Sequence, residues 1–173
     1  MKIPTVIRIH ISVFLLFLGT QVMAQNSAND LIERGNQKEE ANDYKGAFAD
    51  FNNALLISPE NPKVLYYSGF IKFQLGDYAN AISDYNLAME SDSESVELYY
   101  CRGNAYFELN FFKEAIFDYS KAILLDSTDS QSFFNRAIAK YTMGETAACC
   151  KDLQSAIKYG DKEAETVRRE ICR

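Results

Sequence analysis

The strongest constraint on this chain is a self-similarity with a period of 34 residues. Gly35, Gly69 and Gly103 share that spacing, and Ala137 continues the series. Ala47, Ala81, Ala115 and Cys149 form a second column in the same register, and Phe51, Tyr85, Tyr119 and Leu153 a third. Ala54, Ala88, Ala122 and Ala156 make a fourth; Asp50, Asp84, Asp118 and Asp152 make a fifth. Such a period marks a chain built by stacking one small supersecondary unit, each copy leaning on the next.

Each cycle reads as two amphipathic helices. In the third cycle Leu98, Tyr99, Cys101, Arg102, Ala105, Tyr106 and Leu109 recur at helical spacing. Asn110 breaks the stripe, and Ala115, Ile116, Tyr119, Ala122 and Ile123 begin a second one. Boundary chemistry agrees. Gly76-Asp77 reads as a left-handed terminator followed by an N-cap, Asn61-Pro62 as an N-cap followed by a first-turn proline, and Asp129-Ser130 as a further helix start. The small residues predict a close crossing, in which glycine or alanine of the first helix faces alanine of the second and the aromatic column fills the wedge beyond. Ala164, Val167, Arg168 and Ile171 then share one face of a terminal helix that covers the last hairpin.

These columns resemble the tetratricopeptide repeat, a 34-residue helix-turn-helix with small residues at the crossing and aromatics behind it. The third cycle, Val96 to Asp129, is the closest match, through Leu98-Tyr99-Tyr100, Gly103-Asn104-Ala105-Tyr106 and Phe112-Lys113-Glu114-Ala115-Ile116. The family's loop proline survives only as Pro59; Ser93, Ser127 and Asp161 stand in its place later. The fourth cycle departs most, with Ala137 for glycine and Cys149 for alanine, and looser packing is expected there. The resemblance implies an all-α, right-handed α-solenoid. Its four repeats would occupy residues 28–61, 62–95, 96–129 and 130–163, followed by a C-terminal capping helix over 162–173.

Stacks of this family curve, and their first helices line the concave side where partners bind. By helical projection, the first-helix residues not committed to the hairpin crossing are Tyr66, Tyr67, Phe70, Phe73, Tyr100, Asn104, Phe107, Phe134, Asn135 and Tyr141. Glu33, Glu39, Glu40, Glu97 and Glu108 lie on or beside the same stripe. Aromatic rings with a few amides suit a protein or peptide partner held in a groove. The alternative is plain packing between hairpins, since the columns holding Tyr66, Tyr100 and Phe134 follow the ordinary repeat pattern. Phe70 stands out, because Asn36 and Asn104 occupy its matching slots. The family's carboxylate clamp is missing its basic residues: Ile32, Tyr67 and Tyr100 stand at clamp slots. An acidic lining favours neutral or basic segments, within the limits of salt screening.

Composition narrows the function further. Hydrophobic residues make up 47% of the 173, enough for a core, and the net charge of −6 argues against a domain that works on nucleic-acid phosphates. Lys2 and Arg8, an apolar run from Ile9 to Leu18, and Val22-Met23-Ala24 form a secretory signal pattern, predicting cleavage after Ala24 and a periplasmic or secreted product with no membrane insertion thereafter. A retained anchor is the alternative, although the run is shorter than the about 20 residues of a spanning helix. Cleavage would remove two of the 18 basic residues and none of the 24 acidic ones, leaving −8. It would also remove His10, the sole histidine, and with it Ser-His-Asp catalysis and histidine-ligated metals. The aspartates recur once per repeat, no glycine-rich phosphate loop is visible, and neither catalytic residues nor cofactors are expected. A non-enzymatic interaction module is the leading reading; a structural subunit of a cell-envelope complex, binding by its convex face or edges, is the other.

Cys101, Cys149, Cys150 and Cys172 remain in the exported chain. Antiparallel packing of the terminal helix brings Cys172 near the adjacent pair, and Cys149 occupies the crossing column. A Cys150–Cys172 disulfide is therefore expected, with Cys101 free; four small apolar core residues is the competing view.

Overall fold

The structure, a computed structural model, describes residues 27–172; the signal expected over residues 1–24 lies outside them. All regular structure in the described residues is helical. Helix α1 occupies 27–40. It is followed by α2 (Tyr44–Ile57), α3 (Pro62–Gln74), α4 (Tyr78–Ser91), α5 (Val96–Glu108), α6 (Phe112–Leu125), α7 (Ser130–Thr142), α8 (Thr146–Lys158) and α9 (Lys162–Ile171). These make four helical hairpins and a final single helix.

The turns inside the hairpins obey the same period. Asn42, Gly76, Asn110 and Gly144 all take positive φ, at 59°, 80°, 63° and 81°. Glycine and asparagine tolerate this left-handed conformation, which stops the first helix and reverses the chain. Asp43, Asn61, Ser95, Asp129 and Asp161 each accept a backbone N–H of the following helix. Asp77 sits at the N-cap position of α4 but accepts no backbone bond; its carboxylate accepts from Asn80 Nδ2 instead, at 2.8 and 3.0 Å.

The hairpin crossing differs from the expected glycine-on-alanine contact. The aromatic ring of the second helix lies directly on the first-helix glycine. A Cβ added at Gly35, Gly69 or Gly103 would come within 2.5–2.8 Å of Phe51, Tyr85 or Tyr119. The fourth hairpin replaces the pair jointly, with Ala137 and Leu153 both fully buried. Leucine presents no ring edge, so the alanine methyl fits, and the expected loosening of this repeat does not occur.

This pairing predicts a measurable coupling. Overpacking at Gly103→Ala costs about 1–3 kcal/mol, of which better helix propensity returns up to about 1. Gly103→Ala should therefore lower stability in urea unfolding. Adding Tyr119→Leu, which copies the Ala137–Leu153 pair, should relieve the clash and give a coupling of at least about 0.5 kcal/mol. A stabilising Gly103→Ala would refute the packing argument.

Each core joins a hairpin to the first helix of the next. Ala47, Phe51 and Ala54 of α2 pack with Ala28 and Ile32 of α1 and with Val64 and Ile71 of α3. Ala81, Tyr85 and Ala88 of α4 pack with Leu65 of α3 and Leu98 of α5. Cys149, Leu153 and Ala156 of α8 pack with Ala137 of α7 and Ala164 of α9, with Val167 and Ile171 against them. First helices of successive hairpins also touch, α3 on α5 and α5 on α7, whereas α4, α6 and α8 make no comparable contact with one another. The stack therefore curves with its first helices inside.

Candidate partner-binding groove

The inner face is held by one ionic device per repeat. The buried aspartate of each second helix pairs with a base on the first helix of its own hairpin. Asp118 receives both Arg102 Nε and Nη2, at 2.8 and 2.7 Å, and Asp152 receives Arg136 in the same two-pronged way. Lys140 adds a contact to Asp152 at 2.7 Å. Arg34 and Lys38 both pair with Asp50. Burial alone would raise the Asp50 carboxyl, but these two cations outweigh it and hold it below its ordinary value. At Asp118 burial prevails and raises the carboxyl, although Arg102 pulls the other way. The second repeat carries Ser68 in the arginine column, and Asp84 relies on Lys72 at 2.6 Å.

The arginines also reach backwards. Arg102 Nη1 donates to Asn86 Oδ1 of α4 at 2.6 Å, and Arg136 Nη1 to Ser120 Oγ of α6 at 2.9 Å. Each guanidinium thus ties its own hairpin to the preceding one. Sequence reasoning placed the aspartates but overlooked this partner column, although Arg34, Arg102 and Arg136 stand on the same 34-residue register.

A cleft of about 310 Å³ opens on the inner face and spans three hairpins. Phe73 of α3 forms one wall, Asn104, Phe107 and Glu108 of α5 the middle, and Phe134, Asn135 and Ile138 of α7 the other wall, with Tyr119 beneath. Two of the cleft's rings are braced alike: Phe73 meets Tyr78 edge-on at 5.2 Å, and Phe107 meets Phe112 at 5.3 Å. Tyr119 OH donates to Asn104 Oδ1 at 2.8 Å, and Asn135 Nδ2 donates to the same oxygen at 2.9 Å. Burial pushes the Tyr119 hydroxyl up, so it stays a donor at neutral pH.

Half of the ten groove candidates meet at this cleft: Phe73, Asn104, Phe107, Phe134 and Asn135. Tyr100 adjoins it, with its hydroxyl 3.3 Å from Asn135 Nδ2. Tyr66 and Tyr67 line a separate recess of about 320 Å³ with Lys63, Asp92 and Glu97. Tyr67 also stacks on Phe51 at 5.1 Å. Phe70 packs against the core of α1–α3, so packing does account for the aromatic ring at an amide slot. Tyr141 is exposed near the end of α7 and is absent from the cleft lining. Sequence reasoning passed over Ile138 and Tyr119. Ile138 occupies the same slot as Asn36, Phe70 and Asn104 and was open to the same projection; the column that holds Tyr119 reads as core alone.

Cys150 and Cys172 are disulfide-bonded, with Cα atoms 5.8 Å apart, joining α8 to the end of α9. Cys101 and Cys149 are free thiols. Cys101 sits beside the Tyr66 and Tyr85 hydroxyls, and burial pushes its thiol up to about 11, which keeps it protonated and unreactive at neutral pH. Among the described residues, no group of histidine, cysteine, aspartate or glutamate could hold a metal, and no helix is long and apolar enough to cross a membrane.

Two family models match the middle of the chain, one for a TPR repeat over residues 69–110 and one for the tetratricopeptide repeat over 96–129. The chain is a tetratricopeptide-repeat protein. Solved structures share the TPR fold along most of its length. A crystal structure of MamA protein is 21% identical, covering 86% of this chain and 87% of that one, with a TM-score of 0.72. A thermophilic TPR protein of Thermus thermophilus is 18% identical, covering 84% and 81%, also at 0.72. The first TPR of Spaghetti (RPAP3), bound to the HSP90 peptide SRMEEVD, is 25% identical, covering 69% and 94%, at 0.67. No curated protein matches the sequence significantly. The TPR fold is that of a protein–protein interaction module and is generally a non-enzymatic scaffold.

Proposed function

We propose that this TPR protein is an exported, non-enzymatic module that holds a peptide segment of a partner protein in its inner groove. The observation that carries the reading is the cleft around Phe73, Phe107 and Phe134, which combines apolar walls with amides of Asn104 and Asn135. Pockets of this make-up suit an apolar anchor flanked by a peptide backbone. The solved structure of the Spaghetti domain with its HSP90 peptide supports peptide capture by this fold. Export rests on the basic, apolar and small-residue pattern of residues 1–24, and the Cys150–Cys172 bond is of a kind that persists in oxidising spaces.

Phe107→Ala tests the groove. Central aromatic anchors carry about 2 kcal/mol or more of binding, so capture of the partner from envelope extract should fall by more than about tenfold. The second reading, an envelope-assembly subunit that binds by its outer face, draws on Leu56, Phe117 and Leu124 of the second helices, which are 84%, 57% and 75% exposed. Capture unchanged by Phe107→Ala but abolished by Leu124→Glu would favour it.

A further inference from the structure

We infer that the segment taken by the groove is cationic, with lysine or arginine flanking a large apolar side chain seated in the Phe73–Phe107–Phe134 cleft. This rests on the groove reading and adds the chemistry of its occupant.

The charge facing the cleft is one-sided. The inner helices α1, α3, α5 and α7 carry Arg34, Lys38, Lys63, Lys72, Arg102, Arg136 and Lys140. All except Lys63 are paired with the buried aspartates of the second helices. Lys72 and Arg102 each have an aspartate to themselves, Arg34 with Lys38 and Arg136 with Lys140 share one between two, and none of the six lines the cleft. Glu97 and Glu108 on the same face have no cation within ion-pair distance among the described residues, and Glu108 is the sole charged residue of the cleft lining. Glu97 lines the neighbouring recess beside Asp92, opposed there only by Lys63. An acidic partner would meet these carboxylates with Lys63, which lies outside the cleft, as the one unpaired base of the described inner helices, whereas a lysine or arginine beside the anchor would reach Glu108.

The floor supplies the rest of the recognition. Asn104 uses its oxygen and Asn135 its amide nitrogen within the protein. Asn104 Nδ2 and Asn135 Oδ1 make no hydrogen bond among the described residues, which leaves one donor and one acceptor for the C=O and N–H of an extended segment.

The test uses the full chain and fluorescein-labelled synthetic peptides of about ten residues. Each has a central phenylalanine flanked by lysine, by glutamine or by glutamate. Fluorescence polarisation should show the lysine peptide binding at least about fivefold tighter than the glutamine peptide, and the glutamate peptide weakest. The preference should shrink in about 0.5 M salt. Glu97→Gln with Glu108→Gln should bring the lysine and glutamine peptides within about twofold of each other. Phe107→Ala should weaken all three, with far-ultraviolet dichroism showing that each variant stays helical. If the lysine peptide binds no tighter than the others while Phe107→Ala weakens them all, the charge inference is overturned and the groove reading stands. If no peptide binds, or Phe107→Ala changes nothing, the groove reading fails and this inference with it.

Discussion

Replacing Asp118 with alanine should lower the unfolding free energy by about 3–5 kcal/mol, the range for removing one partner of a buried ion pair. Asp118 is 1% exposed and receives two hydrogen bonds from Arg102. Without the carboxylate, a largely buried guanidinium keeps its charge among Tyr99 and Tyr106, which face it at 5.6 and 5.9 Å. Those rings soften the loss, which places the effect toward the lower end. The penalty belongs to the orphaned charge rather than to the pair, so Arg102→Met with Asp118→Leu should recover most of it. Glu165→Ala on α9 is the control: its bonds to Arg168 and Arg169 are exposed, and it should cost under about 1 kcal/mol. Urea unfolding checks all three variants. A loss below about 1 kcal/mol for Asp118→Ala would mean that this pair behaves as if in water.

The second large effect lies at the other end of the stack. Breaking the Cys150–Cys172 bond with Cys172→Ser should remove about 3 kcal/mol, the chain-entropy value for a loop with a sequence separation of 22. The bond holds α9 over the last core, where Ala164 is fully buried and Val167 and Ile171 pack against the cluster it forms with α7 and α8. Helix α9 is strongly polar on its outer side and has few other anchors, so the bond has much to restrain. Unfolding of the variant should be indifferent to reductant, while the unmodified protein should fall to the variant's stability when reduced. Equal stability of the two oxidised proteins would show that apolar packing alone secures the cap.

The architecture was legible because the same physical demand recurs four times. Positions that must be small, aromatic or acidic repeat at one spacing, and a repeated demand is visible where a single one is not. The left-handed turns at Asn42, Gly76, Asn110 and Gly144 belong to the same logic, although only two of them stand out in the sequence. The groove was harder to read. Helical projection shows which residues face inward but not how far a neighbouring element covers them. Phe70 and Tyr67 face inward but are partly taken up in packing, against the first core and against Phe51. Ile138 looks like an ordinary core residue and lines the cleft. The fourth repeat misleads for a related reason. Ala137 and Cys149 are departures when weighed singly, whereas packing compensates in pairs, and Leu153 explains Ala137.

Ser68 sets the mechanical character of the whole stack. It stands where arginine ties the third hairpin to the second and the fourth to the third, and its buried hydroxyl finds no partner. The seam between α2 and α3 therefore relies on apolar contact without a polar latch. Repeat arrays come apart at their weakest neighbour interface. Amide exchange should accordingly be fastest in the α1–α2 hairpin and slower through the latched α3–α9 segment, giving the protein a stiff grip at one end and a hinged jaw at the other.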